Sequence, residues 1–220
     1  MFLNRNILAH RGYWKKSNEK NSMDAFERAF RLGFGIETDL RDADKKIVVS
    51  HDMADEGCLT FEDLVKLYSE LNCSSFLALN IKSDGLAEEV SKILNKYEVI
   101  NYFCFDMSVP DTLAYRKNKL NFFCRYSELE PFIPFQEERL GVWFDAFGIN
   151  EVDVVKANTN ANNEYACLVS PELHGRNHLA AWQNWKESLD FSKNEKLSNN
   201  IMVCTDIPED FIQYMGETSD

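Results

Sequence analysis

The sequence predicts an α/β fold: a (β/α)8 TIM barrel, one domain over residues 1–220, with a small hairpin insertion after the second strand. Three observations predict it. Eight apolar runs, starting at Ile7, Phe34, Phe76, Tyr102, Asn121, Gly141, Ala166 and Ile201, read as parallel-type strands. Segments with apolar residues at helical spacing separate most of them. Titratable residues gather at the C-terminal ends of the runs, the face on which such a barrel builds its site.

Each element has a local reason. Ile7 to His10 is the first strand, closed by a turn at Gly12. Ser22 can cap a helix whose apolar face is Met23, Phe26, Ala29 and Phe30, and Gly33 stands where a C-terminal left-handed residue belongs. The second strand is Phe34 to Leu40. Asp42 to Lys46 is a polar turn, and Ile47 to His51 returns as the hairpin strand. Thr60 caps a helix with Phe61, Leu64, Val65, Tyr68 and Leu71 on one face. Phe76 to Lys82 is nearly continuously apolar, as a parallel strand covered on both faces should be. A helix from Asp84, the strand Tyr102 to Phe105 and a helix from Pro110 to Lys117 follow. Next come strands at Asn121 to Arg125 and Gly141 to Phe147, separated by a Pro-containing loop. Glu151 to Glu164 is Asn-rich and predicts only a weak helix. The strand Ala166 to Val169, a helix around His178 to Leu189, the strand Ile201 to Cys204 and a short helix from Pro208 complete the chain.

Composition allows this fold and removes several function classes. The chain is 45% hydrophobic and 13% aromatic, with 16 Phe, enough for a substantial core and too much for a disordered chain. A net charge of −12 leaves no basic stripe to neutralise a phosphate backbone, so no nucleic acid is expected as partner. A small phosphorylated molecule needs only local cations or a metal. The six cysteines (58, 73, 104, 124, 167 and 204) form no CxxC pair. Most stand in apolar strand-like runs and read as buried hydrophobes of a reducing compartment. The start of the chain, Met1 to Asn6, has no apolar signal core, and no run approaches membrane-spanning length. The expectation is a cytoplasmic protein with no membrane insertion. Oligomeric state is not legible.

The strand ends carry the chemistry: His10-Arg11, Glu37-Thr38-Asp39, Asn80 and Lys82, Asp106, Arg125, Asp145, Glu172 with His174, and Thr205-Asp206. Ser50-His51-Asp52 ends the hairpin strand. Two imidazoles and two carboxylates brought to one mouth can run acid–base chemistry beside a divalent metal ion. Glu37 and Asp39 are two apart on a strand and so share a face. Carboxylates held side by side repel unless a cation lies between them, and a hard ion with oxygen ligands, Mg²⁺ or Ca²⁺, is the natural one.

Four segments in order, Ala9-His10-Arg11-Gly12, EKNSMDAFERAFRLG at 19–33, GIETDLR at 35–41 and IVVSHD at 47–52, resemble the glycerophosphodiester phosphodiesterase family. The likeness covers residues 7–52 and continues more weakly through LALNIK at 77–82. The resemblance implies a phosphodiesterase on a TIM barrel acting on a small-molecule glycerophosphodiester of lipid metabolism. His10 and His51 would be general acid and base, Arg11 and Lys82 would bind phosphate, and Glu37 and Asp39 would hold the metal. The sequence departs from the family pattern at three places, one of them the last strand, where Val203-Cys204-Thr205-Asp206 stands and the family's common Trp is absent. Lys20 stands where the family has the acid of its Pro-Glu-Asn-Thr motif. Asn80 stands where the third carboxylate ligand is usual, and an amide oxygen brings no charge, so metal affinity should fall. Lys20 turning inward, or Glu172 from another strand end, would compensate.

Three readings follow. The first is metal-assisted hydrolysis of a glycerophosphodiester to an alcohol and a phosphomonoester. The second is a metal-independent cyclising phosphodiesterase resembling phosphatidylinositol-specific phospholipase C. The third is a non-catalytic barrel that binds a phosphorylated ligand.

Overall fold

The computed structural model of the protein describes residues 3–148, 152–189 and 199–216. Met1, Phe2 and Glu151, on which the sequence reading also draws, lie outside the described residues. Among the described residues, nine strands form one sheet: β1 (Ile7–His10), β2 (Gly35–Ala43), β3 (Lys46–Val49), β4 (Leu77–Ile81), β5 (Tyr102–Phe105), β6 (Phe123–Tyr126), β7 (Gly141–Phe144), β8 (Tyr165–Val169) and β9 (Ile201–Thr205). Eight run parallel in the order β5-β4-β2-β1-β9-β8-β7-β6. The two ends of that order meet at a parallel bridge between Cys104 and Phe122, so the sheet curls into a nearly closed barrel. The Cys104 amide donates to the Asn121 carbonyl at 2.9 Å at this seam.

The hairpin is present as expected, with β3 antiparallel on β2. Its turn is tighter than the polar run from Asp42 to Lys46 implied, because Asp42 and Ala43 still pair with Ile47 and Lys46. Only Asp44 and Lys45 turn the chain, both at positive φ (47° and 63°), as a two-residue turn matched to strand twist requires.

The helices start where side chains can cap them. Ser22 Oγ accepts from the Ala25 amide in α1 (Met23–Arg31), and Thr60 Oγ1 from the Asp63 amide in α2 (Phe61–Glu70). Ser108 does the same for the Asp111 amide in α4 (Val109–Lys117), which follows α3 (Ala87–Lys96). The Asn-rich segment forms a real helix, α5 (Val154–Ala161). Asp153 caps it at the Lys156 amide, and Val154, Ala157 and Ala161 bury one face. Capping and three small apolar residues outweigh the weak propensity of asparagine. α6 (Leu179–Ser188) and α7 (Pro208–Gly216) follow β8 and β9. Between β6 and β7 the chain forms an irregular loop, residues 127–140, instead of a helix.

Strand alternation divides the core in two. Ile7, Ile36, Leu77, Leu79, Val142, Leu168 and Val203 face outward under the helices. Leu8, Ala78, Phe103, Phe105, Phe123, Trp143, Cys167, Met202 and Cys204 fill the barrel. Phe103 stacks on Phe123 at 3.7 Å and Phe105 on Trp143 at 4.1 Å, making an aromatic floor. Each such ring gains roughly 1.5–3 kcal/mol by leaving water. The same alternation aims the next inward position of each strand at the mouth: His10 after Leu8, Asn80 after Ala78, Asp145 after Trp143. Trp182 and Trp185 are packed in the outer layer. Cys104, Cys124, Cys167 and Cys204 are buried thiols, while Cys58 and Cys73 are only half-buried.

Candidate active site

The C-terminal mouth holds a cavity of about 400 Å³ lined by His10, Arg11, Glu37, Asp39, His51, Asn80 and Lys82. Every catalytic, phosphate-binding and metal residue expected from the sequence therefore meets there. The opposite wall is Asp106, Arg125, Asp145, Phe147 and His174 over Phe105 and Trp143.

The β1 turn is built by geometry that few residues tolerate. Arg11 sits at φ 57° and its amide donates to the Glu37 carbonyl at 2.9 Å. Gly12 follows at φ 82°, where a Cβ would come within 2.9 Å of Ala25. The turn thus presses against α1 and points the His10 and Arg11 side chains into the cavity. His10 Nδ1 is 2.7 Å from Asp206 Oδ1, which leaves Nε2 toward the cavity, 3.9 Å from Glu37 Oε2. His51 is on the rim, more exposed, with Nδ1 2.9 Å from Asp52 Oδ1.

Glu37 and Asp39 line one cavity, as their spacing predicts, and both are buried, but their surroundings differ. Asp39 faces Arg11 Nε at 3.3 Å and Lys82 Nζ at 3.4 Å, and it accepts from Asn21 Nδ2 at 3.0 Å. Glu37 Oε1 accepts a long hydrogen bond from Asn80 Nδ2 at 3.3 Å, and Oε2 has no hydrogen-bond partner. Burial, reinforced by the Asp39 charge, pushes the Glu37 carboxyl well above the usual carboxylate range. His10, Lys82 and Arg11 only partly offset that rise.

A hard divalent ion fits part of this set. Glu37 Oε2 and Asn80 Oδ1 are buried oxygens without partners on one cavity wall. Asp39 is already neutralised by two protein cations, so it is the least available of the three.

Two compensating residues do not behave as the sequence reading expected. Lys20 is not among the residues lining the cavity; its ammonium lies 4.5 Å over the Trp14 ring, a cation–π contact that holds it there. Glu172 does not supply the missing acid. Its Oε1 accepts from Thr205 Oγ1 at 2.5 Å and the Asp206 amide at 3.2 Å, and Oε2 accepts from Ser170 Oγ. It ties the β8 and β9 ends together and so positions Asp206 beneath His10.

The far wall was legible only as a set of polar strand ends. Arg125 pairs with Asp106, and His174 Nε2 is 2.7 Å from Asp145 Oδ1. Burial alone would raise Asp145, but the hydrogen bond and charge of His174, with Arg125 beyond, hold it below the usual range. No sequence signal links these partners, which come from different strand ends.

No protein-family model matches the sequence, and no curated protein matches it either. Solved structures do. A glycerophosphodiester phosphodiesterase from Agrobacterium tumefaciens str. C58 superposes with a TM-score of 0.63 at 12% identity, over 94% of this chain and 99% of its own. A phosphodiesterase of Oleispira antarctica, in complex with the product sn-glycerol-3-phosphate, gives 0.64 at 13%, over 96% and 97%. A glycerophosphoryl diester phosphodiesterase from Parabacteroides distasonis ATCC 8503 gives 0.62 at 13%, over 97% and 88%. The fold is that of the glycerophosphodiester phosphodiesterases. Like those neighbours over nearly their whole length, the chain is one TIM barrel. No helix among the described residues is long and apolar enough to cross a membrane.

Proposed function

We propose that the protein is a phosphoric diester hydrolase acting on a glycerophosphodiester-like small molecule. One observation carries this reading: a single cavity holds the imidazoles of His10 and His51, the cations Arg11 and Lys82 and the carboxyls of Glu37 and Asp39 at the mouth of this barrel. Three structural neighbours of the same fold bear phosphodiesterase names, and one of them is complexed with sn-glycerol-3-phosphate.

The residues divide the work. Arg11 and Lys82 bind the non-bridging oxygens of the phosphodiester and neutralise charge that grows in the transition state. His10, with Nδ1–H donating to Asp206, offers Nε2 to take the proton from the attacking hydroxyl. His51, on the rim, returns a proton to the departing alkoxide as its bond to phosphorus breaks. The reverse assignment balances equally. Glu37 and Asn80, with Asp39, would hold Mg²⁺ or Ca²⁺, which when bound supplies further positive charge to the phosphoryl oxygens.

The second reading, a metal-independent site, gains from the double neutralisation of Asp39 by Arg11 and Lys82. One experiment addresses all three readings: release of sn-glycerol 3-phosphate, or of its cyclic phosphate, from glycerophosphocholine with and without EDTA. Turnover abolished by EDTA supports the metal-assisted reading, and full turnover in chelator the second. Ligand-induced thermal stabilisation with no turnover on any phosphodiester would leave only the non-catalytic binder.

A further inference from the structure

A second cavity, about 470 Å³, opens beside the first. The two share Asn80, Lys82, Asp106 and Arg125, so they are one continuous groove with Lys82 and Arg125 at the junction. Beyond the junction its character changes. The walls become Met107, Val109, Phe132, Pro134 and Phe135, and Phe123 of the barrel floor closes the inner end. We propose that this groove seats an aliphatic chain on one arm of the phosphodiester, so that the substrate class is a single-chain phospholipid; the proposal rests on the phosphodiesterase reading above.

Phe132, Pro134 and Phe135 of the apolar wall come from the loop that stands in place of a barrel helix, and Met107 and Val109 from just after β5 and the start of α4. Residues 127–140 pack as a shaped element and not as slack chain: Arg139 donates to the carbonyls of Ile133 and Pro134 and grips Glu164 with two hydrogen bonds. Phe135 packs edge-on against Phe122 at 5.9 Å. Ser127 Oγ caps the amides of Leu129 and Glu130. A long loop without secondary structure, held this firmly at a barrel mouth, is characteristic of a binding wall.

Exposure marks the same place. Phe132 is 79% exposed and Val109 is 64% exposed, both on the groove lining. Leu129, in the same loop, and Leu113, one turn along α4 from Val109, are exposed as well. Exposed apolar side chains on a pocket lining, such as Phe132 and Val109, lose solvent contact when an apolar ligand fills it. A second glycerol or sugar would instead lose water at its hydroxyls against these side chains without replacement. A cationic headgroup finds little here, because the two carboxylates in the groove, Asp106 and Glu130, both face Arg125.

The test is a chain-length series: glycerophosphocholine and its hexanoyl, octanoyl and decanoyl monoesters, kept below micelle formation. Hydrolysis consumes one water, whose oxygen joins phosphorus, while its protons end on the leaving alcohol and the phosphate. With the groove occupied, kcat/KM rises along the series, up to about fourfold for each methylene removed from water. The decanoyl-to-unacylated ratio falls toward unity in Phe132→Ser and in Val109→Ser. Turnover of glycerophosphocholine with a flat series overturns the groove and leaves the phosphodiesterase reading standing. A rising series that both variants keep unchanged also overturns it. If no phosphodiester is turned over, the phosphodiesterase reading fails, and calorimetry with decylphosphocholine decides the groove: binding lost in Phe132→Ser retains it, and no binding rejects it. A dimer that Phe132→Ser dissolves, together with a flat series, would assign the rim to a second copy of the chain.

Discussion

The two walls of the barrel mouth solve the same electrostatic problem differently. On the wall of β5 to β8, each basic side chain faces carboxylates of its own: Arg125 faces Asp106 and Glu130, and His174 faces Asp145. On the wall of β1, β2 and β4, Asp39 alone faces Arg11, Lys82 and Asn21, while Glu37 beside it keeps an oxygen without a hydrogen bond, 3.9 Å from His10 Nε2. The far wall pairs its basic groups with carboxylates and leaves the Arg125 Nε without a hydrogen bond. The near wall is short of anion where its cations stand and short of cation where Glu37 stands. A phosphodiester beside Arg11 and Lys82, with a positive charge at Glu37, would complete it. Buried oxygens without hydrogen bonds, Glu37 Oε2 and Asn80 Oδ1, more than polar content, distinguish the wall proposed to react from the one proposed to support it.

The comparison breaks most visibly in catalysis. His10→Ala and His51→Ala should each lower kcat by on the order of 10²–10⁴-fold with the fold retained. Steady-state rates on glycerophosphocholine, with circular dichroism as the fold control, check this. Wild-type rates in both variants would remove the acid–base assignment.

Stability against pH separates the walls next. The Glu37 carboxyl is raised from 4.5 to about 7, so the folded state holds a proton that the unfolded chain releases. Its contribution is complete below the unfolded value and is lost as pH rises through about 7. Urea unfolding at about pH 5 and about pH 8 should show a decline that Glu37→Gln removes, up to about 3 kcal/mol. Asp145 has the opposite sign, since its carboxyl is lowered. Its contribution is present at neutral pH and fades as pH falls through the acid range. Parallel pH curves for the wild type and Glu37→Gln would show that Glu37 is not strained. Mg²⁺ at about pH 8 should restore the wild-type loss if the ion sits at Glu37.

Lys82→Ala should lower kcat/KM on the order of tenfold, the equivalent of one charge-assisted hydrogen bond to phosphate, with part of the loss in kcat because the charge Lys82 meets grows in the transition state. The smallest effect is expected across the cavity. His174→Ala should change kcat by less than about tenfold, because its imidazole is held by Asp145. A loss as large as that of His10→Ala would make the far wall a participant and erase the distinction drawn above.

Much of the near wall was visible along the chain. His10, Arg11, Glu37, Asp39 and His51 sit within one stretch whose strands, cap and turn glycine obey short-range rules, and Asn80 with Lys82 follows on the adjacent strand. The far wall was not visible as pairs, because Asp106 and Arg125, or Asp145 and His174, come from separate strand ends brought together by register. Glu172 and Lys20 show the same gap. Each has the residue type the chemistry needs, yet one is held by Thr205, Asp206 and Ser170 and the other lies over Trp14. The helix at Val154–Ala161 is firmer than its asparagines suggest for a related reason: the burial of Val154, Ala157 and Ala161 counts for more than the asparagines around them.

Alone, the order of residues determined the strands, the helix caps and which side chains point inward, since those follow from periods of two and 3.6 and from neighbours a few positions away. Only the closed barrel decided which inward groups touch. Barrel closure sets Asp206 against His10, 196 positions apart, and leaves Glu37 buried beside an amide. A contact across so much chain depends on the stagger of every strand between, and no local pattern encodes that sum.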